Sequence, residues 1–135
     1  MSPPARKSSV TANIGENRLL ISLRGILTKK DVEALYTDIR FCVSDLKPEF
    51  NVITDMTECR FGHLAGIGSF RKIVEFLLSK KVAKIVRIVG RSRIIFQQLD
   101  KLAGKREGYT VEYVSTFAEA ESLLSSAKEQ KVSAA

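Results

Sequence analysis

Short, β-branched apolar runs alternate along this chain with longer segments whose apolar residues recur every three or four positions. FNVITDM (50–56) and VAKIVRIVG (82–90) are two of the short runs. Runs of this kind indicate strands buried inside a sheet, and strands that alternate with helices pair in parallel through crossover connections. The chain is therefore predicted to be a single α/β domain, with a mostly parallel central sheet and helices packed on it.

The predicted order of elements is β-β-α-β-α-β-α-β-α. The first two strands, at 9–14 and 18–25, flank a turn signal and favour a hairpin. The later strands are predicted at 50–56, 82–90 and 109–114. Helical spacing and capping residues predict helices at about 29–46, 67–78, 92–103 and from 117 onward. We expect the domain to cover 9–127, with a disordered tail at 1–8 and a frayed tail at 128–135.

Composition sets the class of protein. The chain has 135 residues, of which 44% are hydrophobic and 27% charged, as is ordinary for one globular domain. No apolar run approaches the ~20 residues that span a bilayer, and the start, MSPPARKSS, lacks the apolar core of a signal peptide. We therefore expect a cytoplasmic protein in which Cys42 and Cys59 are free thiols.

The basic charge is regional. The formal net charge is +7, yet segment 80–106 holds nine Lys and Arg residues against one acid, Asp100, so the rest of the chain carries −1. Such a segment indicates a face that meets an acidic partner. Nucleic acid, an acidic protein, an anionic lipid and a phosphorylated ligand all fit this expectation. Lys80, Lys81 and Lys84 are predicted where a helix is followed by a strand, at the other end of the sheet from Arg91, and need not share its surface.

The stretch DMTECRFGHLAGIGSF (55–70) holds most of the candidate site residues. Asp55 follows a predicted strand, at the edge where open α/β sheets bind ligands. It could bind a metal or act as a base, but the favoured interpretation is a hydrogen bond to backbone donors of the following turn. His63, the single histidine, could be a general base; an exposed histidine at a helix start is favoured.

Cys59 and two glycines have similar pairs of interpretations. Arg60 or a helix dipole could activate the Cys59 thiol, but burial as a small hydrophobic residue is favoured. Gly66 and Gly68 lack the third glycine of a dinucleotide-binding loop, since position 71 is Arg71. Close packing of a helix on the sheet is the favoured reason for both glycines.

The run GRSR (90–93) is a candidate anion site. Arg91 and Arg93 flank Ser92, a potential helix cap, so two guanidinium groups would lie beside the positive end of a helix. Ordinary solvated surface is the alternative. If the turns at Asp55 and Arg91 meet at one edge of the sheet, they share a surface with Thr57 and Gly66.

The residues of this stretch and the order of elements resemble the STAS domain, the SpoIIAA-like fold of bacterial anti-sigma-factor antagonists. Asp55 matches the family's strand-end Asp, Phe61 its loop hydrophobe, and Gly66-Ile67-Gly68 its Gly-Leu-Gly segment. The runs IVRIVGRSRIIFQQLDKLAG and STFAEAESLL resemble later parts of the family, so the resemblance covers about residues 10–126. It implies a protein-docking surface at the turn and at the helix that follows.

The chain departs from the family at one functional position. In the phosphoswitch members an Asp-Ser pair at the helix start holds the serine that a partner kinase phosphorylates. Here the pair is His63-Leu64, and leucine has no hydroxyl group. The resemblance therefore implies a scaffold without the usual switch, or a switch moved to Thr57 or Ser69.

The sequence supports a ranked set of functions. The first is a non-enzymatic regulatory module of a bacterium that binds a kinase-like anti-sigma factor or another STAS protein. The alternative is binding of a phosphorylated small ligand, a nucleotide or a lipid. Nucleic-acid binding through 80–106 is less favoured, because no nucleic-acid-binding motif accompanies the basic segment. An enzyme ranks last, and no cofactor or metal is expected.

Overall fold

The computed structural model describes residues 8–61, 65–90 and 110–133. Within these residues the chain forms, in order, β1 (Ser9–Asn13), β2 (Arg18–Leu27), α1 (Lys29–Val43), β3 (Asn51–Phe61), α2 (Ala65–Ser79), β4 (Lys84–Ile88), β5 (Thr110–Val114) and α3 (Phe117–Ser133). The predicted helix at 92–103 lies outside the described residues.

The five strands form one sheet in the order β1-β2-β3-β4-β5. The hairpin strands β1 and β2 are antiparallel, and every later neighbour pair is parallel. The predicted α/β fold with a mostly parallel sheet is thus confirmed. Because β2, β3, β4 and β5 run in one direction, their carboxyl ends lie together at one edge of the sheet, called here the carboxyl edge.

Helices cover both faces of the central strands. Val52 and Ile53 are neighbours on β3, and both side chains are fully buried. Val52 belongs to the core that α1 and α2 form with the sheet. Ile53 belongs to a second core, which contains Ala120 and Leu124 of α3. Two-sided burial explains why the apolar run of β3 is continuous instead of alternating.

Side chains cap two of the helices at the carboxyl edge. Thr28 caps α1 and forms a reciprocal capping box with Asp31, as the sequence predicts. Hydrogen bonds from the Thr28 backbone and side chain hold the pKa of Asp31 below its ordinary value. At the start of α3 the Thr116 hydroxyl accepts the Glu119 backbone N–H. These caps satisfy backbone donors that a helix start leaves without intrahelical partners.

One strand extends beyond its prediction. The sequence predicts that β3 ends at about residue 56, but it continues to Phe61. Asp55 is therefore not at the end of its strand; it is the last residue that pairs with β4, opposite Ile88. Pairing with β2 sustains the extra residues, as far as Leu27 opposite Phe61.

Asn17 connects the loops at the opposite, amino edge of the sheet. Its Nδ2 donates to the Lys47 carbonyl over 3.2 Å, and the Lys47 N–H donates to its Oδ1 over 2.8 Å. Its own carbonyl accepts the N–H of Asn51, the first residue of β3. Asn17 adopts a left-handed conformation with φ of 50°, which asparagine tolerates better than most residues. The hairpin turn thereby fixes the start of β3.

Substitution of Asn17 should separate its two contributions. Asn17→Gly keeps the left-handed backbone but removes both side-chain hydrogen bonds, so we expect a loss of about 1–2 kcal/mol in the free energy of unfolding. Asn17→Ala should lose about 1 kcal/mol more, because alanine disfavours this backbone conformation. Urea unfolding followed by circular dichroism measures both. Equal stability of wild type and Asn17→Gly would show that the side chain does not connect the loops.

Candidate functional site

A bulge in β3 shapes the centre of the carboxyl edge. Ser22 pairs with Asp55 and Arg24 pairs with Glu58, so Met56 and Thr57 together lie opposite a single residue of β2. The Met56 side chain is buried in the core, whereas Thr57 is exposed. An extra residue of this kind redirects side chains next to it. Here it places Thr57 at the surface directly beyond the end of the β3–β4 pairing.

Asp55 holds the conformation of this bulge. Its Oδ1 accepts the backbone N–H of Thr57 over 3.0 Å and the Thr57 hydroxyl over 2.7 Å. The favoured interpretation of Asp55, a hydrogen bond to a backbone donor of the residues that follow, is confirmed. The carboxylate therefore has a structural role at the bulge. This role is enough to explain why the residue at this position is an acid.

Thr57 lies beside the turn that follows β4. A Cβ added to Gly90 would be 3.6 Å from the Thr57 Cγ2 atom, and Gly90 has φ of +56°. The two turns that the sequence assigns to one edge therefore meet through Thr57 and Gly90. The candidate anion site continues at Arg91, Ser92 and Arg93, which lie outside the described residues, so this part stays a prediction.

The first turn of α2 contains the two candidate glycines. Gly66 and Gly68 lie in the helix Ala65–Ser79, and His63 and Leu64 before it lie outside the described residues. Gly68 is exposed, and a Cβ added to it would meet no atom of the described residues within 4 Å. The predicted reason for this glycine, close packing of the helix on the sheet, is therefore wrong.

Cys59 is a buried thiol. It lies in β3 with 8% of its surface exposed, and its Sγ contacts the Met56 carbonyl at 3.5 Å. Burial, with a smaller effect of the Asp55 charge, raises the pKa of Cys59 to about 12. The thiolate is the reactive form of cysteine, and a raised pKa keeps Cys59 as the protonated thiol. The interpretation of Cys59 as a buried, small hydrophobic residue is therefore confirmed.

The basic segment does not form one face in the described part of the chain. Lys80, Lys81 and Lys84 lie at the amino edge, where α2 ends and β4 begins. Arg87 is 3% exposed and lies in the core between the sheet and the helices. Its Nη1 donates to the Tyr113 hydroxyl over 3.0 Å, and its guanidinium lies 5.3 Å from the Phe70 ring centroid. Arg87 is thus a core residue, contrary to its assignment to a charged face.

A small cavity adjoins Arg87. Its volume is about 20 Å³, which suffices for about one water molecule. Thr54 and Arg87 contribute polar groups to a lining that is otherwise apolar. The cavity is too small for a nucleotide or a lipid.

Metal binding and membrane insertion each require a recognisable arrangement of residues. Among the described residues, no group of three or more His, Cys, Asp and Glu side chains is placed to hold a metal ion. No helix in the described ranges has the length and apolar character needed to cross a membrane.

Comparison with known proteins identifies the fold. No protein-family model and no curated protein matches the sequence. A solved structure does match: an uncharacterized protein of the DUF3478 family from Shewanella loihica PV-4, with a SpoIIAA-like fold. The two share 14% identity with a TM-score of 0.65, and the match covers 92% of this chain and 98% of the other. The predicted STAS-like, SpoIIAA-like fold is therefore confirmed.

The buried thiol should make stability depend on alkaline pH. Below the ordinary pKa of 9.0, the thiol is protonated in both the folded and the unfolded state. Between pH 9 and about 12 the unfolded chain releases the proton and the folded chain keeps it, so the free energy of unfolding should fall as pH rises. Comparison of wild type with Cys59→Ala by urea unfolding isolates this slope from lysine and tyrosine titration. Parallel curves for the two proteins would contradict the burial of Cys59.

Gly68 can be tested for a role in folding. Gly68→Ala should raise the free energy of unfolding by about 0.5–1 kcal/mol, because alanine favours helix and the added methyl group meets open space. Gly25→Ala is a matched control: its Cβ also meets no atom of the described residues within 4 Å, but φ is +76°, so it should destabilise the protein. Urea unfolding at neutral pH measures both. A less stable Gly68→Ala would show that the fold itself requires this glycine.

Proposed function

We propose that this protein is a non-enzymatic regulatory module that binds a protein partner through its carboxyl edge. The docking surface comprises the bulge at Asp55 and Thr57, the first turn of α2 with Gly66 and Gly68, and the adjoining predicted residues His63, Leu64, Arg91, Ser92 and Arg93. The partner is a kinase-like anti-sigma factor or another STAS protein in the cytoplasm of a bacterium.

The exposed backbone at Gly68 is the observation that carries this proposal. Glycine inside a helix costs about 0.5–1 kcal/mol relative to alanine, and in the part of the chain that the structure describes no atom close to Gly68 requires it. Because Gly68 has no side chain, the backbone of another molecule can approach this turn of the helix closely. A glycine that the fold does not need, on the surface that STAS relatives use for docking, supports a contact with a partner.

The proposed docking does not use the usual phosphorylation. Leu64 stands at the position of the family's serine and has no hydroxyl group. Thr57 is exposed, but its hydroxyl is bonded to Asp55, and a phosphate there would lie against a carboxylate, with unfavourable repulsion of like charges. Phosphorylation of Ser69, the other candidate for a moved switch, stays a prediction, and binding by shape without phosphorylation is the simpler mechanism.

Capture of partners from a lysate of the host tests the proposal. Tagged wild type, Gly68→Ala and Gly68→Arg would be compared by quantitative mass spectrometry. The arginine side chain should reduce capture of a specific partner at least about tenfold, which corresponds to about 1.4 kcal/mol, and the methyl group should reduce it less. Thr37→Arg places the same side chain at an exposed position of α1 and should leave capture unchanged.

The outcomes distinguish the proposal from its alternatives. Loss of one partner with Gly68→Arg but not with Thr37→Arg would support docking at α2. Equal capture by all variants would contradict it. Capture that both arginine variants increase, and that nuclease treatment abolishes, would favour nucleic-acid binding instead.

A further inference from the structure

Two loops at the amino edge each contain a charged residue with a left-handed backbone. Lys81, just after α2, has φ of 63°, and Glu49, in the loop before β3, has φ of 66°. The Lys81 N–H donates to the Leu78 carbonyl over 3.0 Å. The Val82 N–H donates to the Leu77 carbonyl over 3.1 Å, which completes a Schellman motif, whose left-handed position usually holds glycine. The backbone of both loops therefore favours glycine over the side chains that are present.

The fold gives no reason for a charge at either position. Lys80 already supplies a cation at the C-terminal end of α2, and its ammonium lies 5.9 Å from the Phe76 ring centroid. The Glu49 N–H donates to the Lys81 carbonyl over 2.7 Å, so the acid lies beside a helix C-terminus, where the helix dipole disfavours it. Within the described residues neither Glu49 nor Lys81 forms an ion pair. A contact with another molecule would account for both side chains.

The charges of this surface alternate in sign. Glu49 and Lys81 are adjacent through their backbone hydrogen bond. Glu16 and Lys47 repeat this juxtaposition on the neighbouring loops, which the Asn17 side chain joins. All four charged side chains are exposed. Acids and bases in equal number do not suit a polyanion such as nucleic acid, but they are complementary to the same surface turned about a two-fold axis.

Apolar side chains lie on the same surface. Ile14 is 65% exposed, and its carbonyl accepts the Asn17 N–H over 3.1 Å in the hairpin turn. Pro48, between Lys47 and Glu49, is also exposed. Removal of apolar groups from water favours association, whereas exposed ion pairs add little affinity and mainly fix how two partners are oriented. The surface thus has a source of affinity and a source of specificity.

We propose that the amino edge binds a second copy of this chain in a dimer with two-fold symmetry. Glu49 of each copy pairs with Lys81 of the other, so a single axis forms both pairs. Ile14 and Pro48 are covered in the dimer. This surface lies at the opposite edge of the sheet from Gly68, and the dimer does not depend on the docking proposed there.

Charge reversal tests the dimer directly. Sedimentation velocity of the full chain, from micromolar to millimolar concentration, measures association. Glu49→Lys and Lys81→Glu each turn two attractive pairs of the dimer into two repulsive pairs, so each should weaken association at least about tenfold. Glu49→Lys combined with Lys81→Glu should restore it. Glu33→Lys makes the same charge change at an exposed position of α1 and should leave association unchanged.

Lys81→Gly separates the contact between copies from the fold. It removes the ammonium and the disfavoured backbone conformation together, so the dimer should weaken while the folded monomer becomes more stable. Urea unfolding followed by circular dichroism, at a concentration where the chain is monomeric, should show the ratio of folded to unfolded chain rise at least about fivefold. A monomer at every concentration, or a double charge reversal that associates no better than the single ones, would overturn the proposal.

Discussion

Two-sided burial of β3 and β4 is the constraint on which the rest of this structure depends. A strand such as β3, with Val52 and Ile53 both inaccessible to solvent, needs apolar cover above and below. Parallel pairing supplies that cover, because each connection returns across a face of the sheet. It also places the carboxyl ends of β2, β3, β4 and β5 together. The position of the candidate site is thus a consequence of how the core is closed.

The unequal lengths of the strands turn this edge into a functional surface. If β3 ended at Asp55, where its pairing with β4 ends, Thr57 would lie in a loop. Instead β3 continues with β2, and the bulge absorbs one residue so that Cys59 and Leu27 still face the core. The Asp55 carboxylate fixes the bulge. One local irregularity therefore places Thr57 at the surface, beside the turn that follows β4.

The sequence predicts those features of the structure that local periodicity and the burial of apolar residues determine. The order of the described elements, the parallel sheet, the cap at Thr28 and the burial of Cys59 all follow from local patterns. The end of β3 does not, because the acid at Asp55 and the polar residues after it resemble a loop, and only pairing with β2 keeps them extended. Nor does the environment of Gly68: a glycine in a helix has the same sequence signal whether it packs closely or lies exposed.

The charged residues show most clearly what the sequence alone does not predict. Counted along the sequence, the basic residues concentrate in 80–106, and that count alone points to one acidic partner there. The fold separates them: Arg87 enters the core, where aromatic rings and the Tyr113 hydroxyl surround its guanidinium, and Lys84 lies at the amino edge. Meanwhile Arg24 and Glu58, far apart in sequence, form an ion pair because the register of β2 and β3 places them opposite each other. Which charged side chains share a surface is thus decided by the pairing of the strands, and counting charges along the sequence does not reveal it.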